Sequence, residues 1–326
     1  MRAGALAAIL GSLISAAPGL AKQSHLLLIA GLGGEPSYTE RFHEWAMAMR
    51  TAVIDRYGLS PDHVVYLGED PALAPDIIRA KSTKENVVGV LAELQRAVRP
   101  GDQIYIMLLG HGGFSGDQAR FNLPGPDLTP DDFKELLAPF TEQLVVFVNT
   151  TSASGDFLPA LSASSRVLVT ATKTSHERNE TQFGKFFVEA YAGDDADTDK
   201  NERVSVLEAF DYARQQVDRY YEEKNLLKTE HPQLDDNGDG IGIGAPGEDE
   251  GDFAGTAYLI GASSEETPTN PELAELIRRR EDLQGRVEAL RLQRDSMAEE
   301  LYNKELESLL LELARVVQTI EERSKP

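Results

Sequence analysis

Short runs of consecutive apolar residues alternate along most of the chain with segments whose apolar residues recur every three or four positions. The runs are rich in β-branched residues, which is typical of strands buried on both faces of a parallel sheet, and the intervening segments are typical of covering helices. The pattern therefore predicts an α/β fold with helices on both faces of its sheet. The predicted strands are His25–Ala30, Val64–Leu67, Gln103–Leu109, Leu144–Val148, Val167–Ala171 and Thr256–Ile260.

Four helices are predicted between these strands. One of them starts at a capping box formed by Ser82 and Glu85 and runs to about Val98. The others cover Tyr38–Tyr57, Thr181–Tyr191 and Ser205–Glu222.

A different pattern follows the polar linker 263–271. Leucine or methionine recurs every seven residues from Leu276 to Met297, and the apolar stripe restarts in a new phase at Leu306. Such a phase break predicts either an antiparallel helical hairpin, which we favour, or a stutter in one coiled coil over residues 272–326. The apolar stripe must be buried on itself, on the main domain or on a partner.

The first 21 residues have the pattern of a secretory signal. Arg2 precedes a short apolar stretch that is rich in small residues and ends at a small-residue cleavage site after Ala21. A membrane-spanning helix is the alternative, but the stretch is short and interrupted by Pro18. We therefore predict an exported protein, periplasmic or extracellular, with no stable membrane span and with its main domain over residues 22–262.

The charge balance narrows the classes of partner. The chain has 54 acidic against 32 basic residues, a net charge of −22 and no cysteine. Nucleic acids and anionic membranes are disfavoured as partners because both require a cationic surface. Without disulfides, stability must come from the core or from bound metal.

Two polar loops follow neighbouring predicted strands. The strand Gln103–Leu109 runs into Gly110, His111 and Gly112, and Leu144–Val148 runs into a loop that contains Ser152. At the carboxyl edge of a parallel sheet, a histidine base and a serine nucleophile can meet, with backbone N–H groups as an oxyanion hole. The alternative is that both are ordinary polar loops.

The order of these loops resembles the legumain family within the wider caspase group of cysteine peptidases. In that family one strand ends in a His-Gly turn and the next in Ala-Cys-x-Ser-Gly; here Ser152 stands in the place of the cysteine. The resemblance identifies an exported, bacterial-type homologue and implies a caspase-like three-layer sandwich with a mostly parallel six-stranded sheet. The family's catalytic positions correspond to His111, Gly112 and Ser152, and those flanking its specificity pocket to Arg41, Thr172 and Glu177.

The replacement of cysteine by serine leaves two main functional hypotheses, one without catalysis and one with it. A serine hydroxyl is much less acidic than a thiol and needs a base that is held by a third group, so the resemblance implies severe loss of peptidase activity. The favoured hypothesis is a binding or scaffold protein with a protein or peptide partner. The alternatives are a serine hydrolase with a His111–Ser152 dyad and a structural oligomer that self-associates through its C-terminal helices.

Two acidic segments have the spacing of calcium loops. In the first, residues 197–208 fit a twelve-residue EF-hand loop, but its sixth position is Glu202 instead of glycine. The second reproduces the first half of such a loop and has Pro246 at position 12, so that Glu248 or Asp249 must replace the usual glutamate. The alternatives are a solvated helix cap and a plain polar turn. The predicted calcium ligands are Asp197, Asp199, Asn201, Arg203, Ser205, Glu208, Asp235, Asn237 and Asp239.

Overall fold

The computed structural model describes residues 23–198, 200–246, 250–251, 253–259 and 297–324, together with residues 276, 279, 280, 283, 286, 287 and 290. The chain divides into two compact units, Met1–Ala262 and Ser263–Pro326. The predicted signal segment and linker lie outside the described residues. Among the helices that are described, none is both long and apolar enough to cross a membrane.

A seven-stranded sheet forms the centre of the first unit. The strands of this unit are β1 (Ser24–Ala30), β2 (Val64–Gly68), β3 (Ala80–Lys81), β4 (Gln103–Leu109), β5 (Gly112–Ser115), β6 (Gln118–Phe121), β7 (Leu144–Asn149), β8 (Arg166–Thr170) and β9 (Gln233–Asp235). The sheet order is β3-β2-β1-β4-β7-β8-β9, and β5 with β6 forms a separate hairpin. All pairs in the sheet are parallel except β8 with β9.

Helices cover both faces of this sheet. They are α1 (Pro36–Thr51), which continues through a π-helical turn (Ala52–Arg56), α2 (Lys84–Ala97), α3 (Pro130–Leu137), α4 (Phe157–Leu161), α5 (Phe183–Ala192) and α6 (Val206–Glu223). Alternate strand residues point to opposite faces, so Leu26 and Leu28 pack with α1, α5 and α6, whereas Leu27 and Ile29 pack with α2, α3 and α4. The predicted three-layer architecture with a mostly parallel sheet is confirmed, with seven strands instead of six.

Two local predictions are wrong. Within Thr256–Leu259 no strand forms and Tyr258 makes only an isolated bridge to Ser205; Ile260 lies outside the described residues. The last strand is instead β9, which is only three residues long and therefore gives no clear alternation. Helix α2 is capped by Thr83, whose hydroxyl accepts the Asn86 N–H at 3.3 Å. Ser82 cannot serve as the cap because its own N–H continues the β2–β3 pairing to the Gly68 carbonyl.

The sheet order creates a crevice at its carboxyl edge. After β1 the chain builds β2 and β3 on one side of it and then crosses to β4 on the other side. Ligand sites of open parallel sheets lie where the strand order reverses in this way, outside the carboxyl ends of the strands. Both the histidine loop after β4 and the serine loop after β7 leave the sheet at this edge.

The second unit contains α7 (Glu299–Ser324), preceded by helical residues between 276 and 290. Arg279 pairs with Glu312, although a single straight helix would separate residues 33 positions apart by about 50 Å. Leu283, Val287 and Leu290 share an apolar cluster with Leu309 and Val316. The chain therefore reverses between the two helical stretches and buries its heptad stripe within a hairpin.

A buried carboxylate stabilises the start of α5. Glu230 is fully buried and accepts the backbone N–H groups of Gln182, at 2.8 Å, and Phe183, at 3.0 Å. Burial nevertheless raises the pKa of Glu230 to about 7, because desolvation of the charged form outweighs these hydrogen bonds. The folded protein therefore retains a proton on this group at pH values where the unfolded chain has lost it.

Replacement of Glu230 by glutamine is expected to flatten the pH dependence of stability. The wild type should lose stability as the pH rises from about 4.5 through 7, by about 3 kcal/mol in total for this group. Glutamine still accepts the two N–H bonds but cannot ionise, so Glu230→Gln should be the more stable protein at pH 8 and nearly equal at pH 4.5. Urea unfolding at both pH values tests this, with the exposed Glu222→Gln as control. A stability difference independent of pH would contradict it.

Candidate functional site

Two hydrogen bonds hold the Ser152 hydroxyl against Gly112. The hydroxyl donates to the Gly112 carbonyl at 3.0 Å, and the Gly112 N–H approaches the same oxygen at 3.3 Å. A β-carbon at Gly112 would lie 2.0 Å from the Ser152 carbonyl oxygen, so only glycine fits this approach. In the described part of the chain, no hydrogen bond joins the Ser152 hydroxyl to the His111 ring. The structure thus brings the three predicted catalytic residues together but pairs the serine with the backbone.

The loop that carries Ser152 is held from both sides. Asn149, at the end of β7, accepts the N–H and the hydroxyl of Thr151 at 3.1 and 2.7 Å. Ala153 adopts a left-handed backbone, with φ of 51°, and donates its N–H to the Glu177 carbonyl at 2.8 Å. Such a conformation costs a non-glycine residue roughly 1 kcal/mol, so the turn is fixed by its surroundings.

Aromatic side chains of α1 surround His111. The Tyr38 and Phe42 rings make edge-to-face contacts with the imidazole, with centroids 4.5 and 5.1 Å away. Burial lowers the pKa of His111, and Arg41 lowers it further, while Glu180 and the Gly33 backbone act in the opposite direction. Burial therefore favours the neutral form of the imidazole.

Little space is left above this pair. The cavity there measures about 10 Å³, room for about one water molecule. It is lined by Phe42, Trp45, Gly110, His111, Ser152, Glu180 and Thr181. The lining side chains thus leave little enclosed space beside Ser152.

The predicted substrate-binding residues have partners within the protein. Arg41 forms an ion pair with Glu180 and lies over the Tyr38 ring, close to the His111 cavity. Thr172 is fully buried, and its hydroxyl accepts the N–H groups of Ser154 and Gly155 at 2.8 and 3.1 Å. Arg41 thus lies near the cavity, whereas Thr172 holds the serine loop in place.

Glu177, the third predicted substrate-binding residue, faces away from the His111 cavity. Its carboxylate accepts from the His231 ring at 2.9 Å and from the His231 N–H at 3.1 Å. The same carboxylate also accepts the Lys173 N–H at 3.2 Å. Its side chain therefore ties two loops together, and none of it lines the cavity beside His111.

The first acidic loop is folded around its own backbone. The Asp197 carboxylate accepts the N–H groups of Asn201 and Glu202 at 3.1 and 2.9 Å, and the Asn201 side chain accepts the Arg203 N–H at 2.9 Å. Ser205 and Glu208 form the capping box of α6. The predicted ligands Asp197, Asn201, Ser205 and Glu208 therefore bond to N–H groups of the loop itself. Asp199 lies outside the described residues.

Three carboxylates converge at the second acidic loop. Oxygens of Asp235, Asp239 and Glu250 all lie within 4.8 Å of one another. Glu250 is 5% exposed, and one of its oxygens is buried with no hydrogen-bond partner, although the other accepts the Asp236 N–H at 2.9 Å. Burial and the neighbouring acids Asp236 and Asp235 raise the pKa of Glu250 to about 8. An unpartnered buried oxygen among carboxylates fits a hard divalent cation, which oxygen ligands of this kind prefer.

Asn237 belongs to the same loop, and its side chain accepts the Asp239 N–H at 2.8 Å. The predicted replacements for the missing glutamate, Glu248 and Asp249, lie outside the described residues. Glu250, one position further along the chain, supplies the converging carboxylate instead.

Sequence reasoning missed several residues of these sites. The aromatic side chains over His111 could have been found from their helical spacing on α1, at positions 38, 42 and 45. Glu180 and Glu230 gave no local signal, because each acts through contacts with residues distant in sequence. Glu250 follows the loop at a spacing that the twelve-residue pattern does not contain.

Comparison with known proteins gives limited similarity. No protein-family model matches the chain, and no match was found among curated proteins. Among solved structures, one match is the crystal structure of drICE, a caspase. The match covers 66% of this chain and 87% of the drICE chain, with 8% sequence identity and a TM-score of 0.39. The architecture stated above rests on the strand order and helix layers themselves.

Replacement of Glu202 by glycine is expected to stabilise the first acidic loop. Glu202 adopts a left-handed backbone, with φ of 65°, at the position where calcium loops carry glycine. Removal of its β-carbon should raise the free energy of unfolding by about 0.5–1 kcal/mol. Urea unfolding tests this, with Glu202→Ala as the control that removes the carboxylate and keeps the β-carbon. Equal stability of the two variants would contradict a backbone cause.

Proposed function

We propose that this protein is a caspase/legumain-like domain that has lost peptidase activity, binds calcium for stability and acts outside the cytoplasm as a binding or scaffold protein. The observation that carries this proposal is the engagement of the Ser152 hydroxyl with Gly112 beneath a nearly filled cavity. Peptidase-like architecture without a usable nucleophile favours recognition of a protein or peptide partner over its cleavage.

The chemistry of acyl transfer requires that a serine transfer its proton to a base. Here that proton points to the Gly112 carbonyl, which is not a base, and the neutral His111 ring is held between aromatic edges. The Gly112 N–H, which an oxyanion would need, approaches the serine oxygen itself. All three groups are therefore engaged in the resting structure.

A serine hydrolase is the second candidate, and one observation favours it. His111 and Ser152 line the same cavity, and the lowered pKa keeps the imidazole in the neutral form that a general base requires. Turnover in that case would depend on displacement of the α1 aromatic face and rotation of the serine hydroxyl.

Calcium binding is proposed most strongly at the second acidic loop. Asp235, Asp239 and Glu250 would hold the ion there, and the fit rests on the buried unpartnered oxygen of Glu250. A bound divalent cation would neutralise these carboxylates and link β9 to the segment around residue 250. In a cysteine-free chain of net charge −22, this link would replace the stabilisation that disulfides supply in other exported proteins.

Ser152 is expected to contribute to stability and not to turnover. Hydrolysis of peptide and ester substrates by the wild type should equal that of Ser152→Ala, and Ser152→Cys should remain inactive because the cavity excludes substrate. Loss of the two hydrogen bonds should lower the free energy of unfolding of Ser152→Ala by about 1–2 kcal/mol. Covalent labelling of the wild type by a phosphonate probe, absent in Ser152→Ala, would instead establish the hydrolase.

Glu250→Gln is expected to remove most of the calcium stabilisation. At pH 7 the wild type should gain several degrees in melting temperature on addition of excess calcium over EDTA, and magnesium should give less because it binds dedicated protein cages poorly. The variant should match the wild type in EDTA, since the raised pKa leaves Glu250 mostly protonated there. Calorimetry tests both, with the exposed Glu223→Gln as control. An unchanged calcium response of Glu250→Gln would exclude this residue as a ligand.

A further inference from the structure

A second and larger cavity, of about 390 Å³, lies in the first unit where the chain leaves β8 and enters β9. Its size falls within the range of about 300–1,000 Å³ that is usual for small-molecule sites. We call it the cationic pocket, because its charged lining residues are Lys173, Arg214, Lys228 and His231 with a single acid, Asp218. No described residue lines both this pocket and the His111 cavity.

The charge of this pocket is opposite to that of the whole chain. Acidic residues outnumber basic ones by 54 to 32 in the sequence, yet the pocket has three permanent cations against one acid. The cations come from the loop after β8, from α6 and from the segment before β9, so they meet through the fold and not through one basic run. A surface patch that reverses the overall charge attracts anions locally.

The internal ion pairs leave part of this positive charge available. Asp218 is shared, at 2.5 Å from the Lys228 ammonium and 3.9 Å from the Arg214 guanidinium. Arg214 also pairs with Asp211 at 3.2 Å, yet its Nε is buried without a hydrogen-bond acceptor in the described structure. The Arg214 side chain is 25% exposed, so guanidinium N–H groups other than Nε can reach an oxyanion in the pocket.

A charged neighbour limits the role of His231, the fourth basic residue of the pocket. The His231 ring is 2.9 Å from the Glu177 carboxylate, so that imidazole already has a partner. The remaining lining consists of Pro232, Ile243, Gly242 and Gly244 together with Gln233, whose side-chain amide already donates to the His231 and Pro232 carbonyls. An apolar floor beside cationic groups suits an organic anion better than a bare inorganic ion.

We propose that the cationic pocket binds a small organic ligand through an oxyanion head group, a carboxylate or a phosphate, held by Arg214 and Lys228. Asp218 competes with the ligand for both cations and thereby sets the affinity. This proposal is independent of the His111 site, because the two sites share no described lining residue and the test measures binding instead of hydrolysis.

Calorimetric titration of the full chain with benzoate, phenyl phosphate and benzamide tests the proposal. At least one anion should bind about tenfold or more tighter than the neutral benzamide, and the better of the two identifies the head group. Arg214→Gln should weaken binding of that anion about tenfold, whereas Asp218→Asn should tighten it several-fold because it releases Lys228 and removes a competing carboxylate near Arg214. Arg219→Gln, an equal change of charge at an exposed position of α6, should leave the affinity unchanged.

The opposite signs of these two effects keep the test decisive. A merely destabilised variant would weaken binding but would not tighten it, so Asp218→Asn decides the question even if Arg214→Gln fails to fold. The proposal is overturned if neither anion binds, if benzamide binds as tightly as the anions, or if Asp218→Asn leaves their affinity unchanged. If Arg219→Gln weakened anion binding as much as Arg214→Gln, the loss would be explained by overall charge, and the proposal would also be overturned.

Discussion

The contact between Gly112 and Ser152 joins the exits of β4 and β7, and the rest of the carboxyl edge depends on it. Parallel strands deliver their polar loops to one edge, where a missing side chain at Gly112 lets the serine loop approach to hydrogen-bond distance. That approach fixes the serine hydroxyl on a backbone carbonyl and places His111 beneath the aromatic face of α1. The same close packing thus brings a histidine and a serine together and engages both in contacts within the fold.

Buried carboxylates form a second constraint in this acidic, cysteine-free chain. Glu230 is satisfied by two backbone N–H groups at the start of α5 and still carries a raised pKa. Glu250 has an oxygen with no partner and lies beside two further carboxylates. The two carboxylates differ because the helix N-terminus supplies hydrogen-bond donors to Glu230, whereas the buried oxygen of Glu250 has further carboxylates beside it.

The sequence predicted most of the fold because the central strands are continuous apolar runs and their helices have clear periodicity. It could not predict β9, since three residues such as Gln233–Asp235 carry no pattern of their own and pair only because β8 presents a free edge. The meeting of His111 with Ser152 followed from strand order, whereas the closure of their cavity did not. The closure of the cavity depends on how α1 packs. The positions of Glu250 and Arg214 in their sites likewise depend on contacts between segments that are distant in sequence.

The small size of the His111 cavity also gives an energetic difference between the two candidate functions, a binding protein and a serine hydrolase. Phe42 is 4% exposed and belongs to the same apolar cluster as residues of α5 and α6, so a side chain that lines the cavity is also part of the core. Moving one such side chain into water costs about 1.5–3 kcal/mol, and each 1.4 kcal/mol lowers the open population about tenfold. An open site formed in this way would be populated at about 1–10% or less before any substrate binds. Hydrolysis would therefore require a ligand that itself replaces the packing that Phe42 loses.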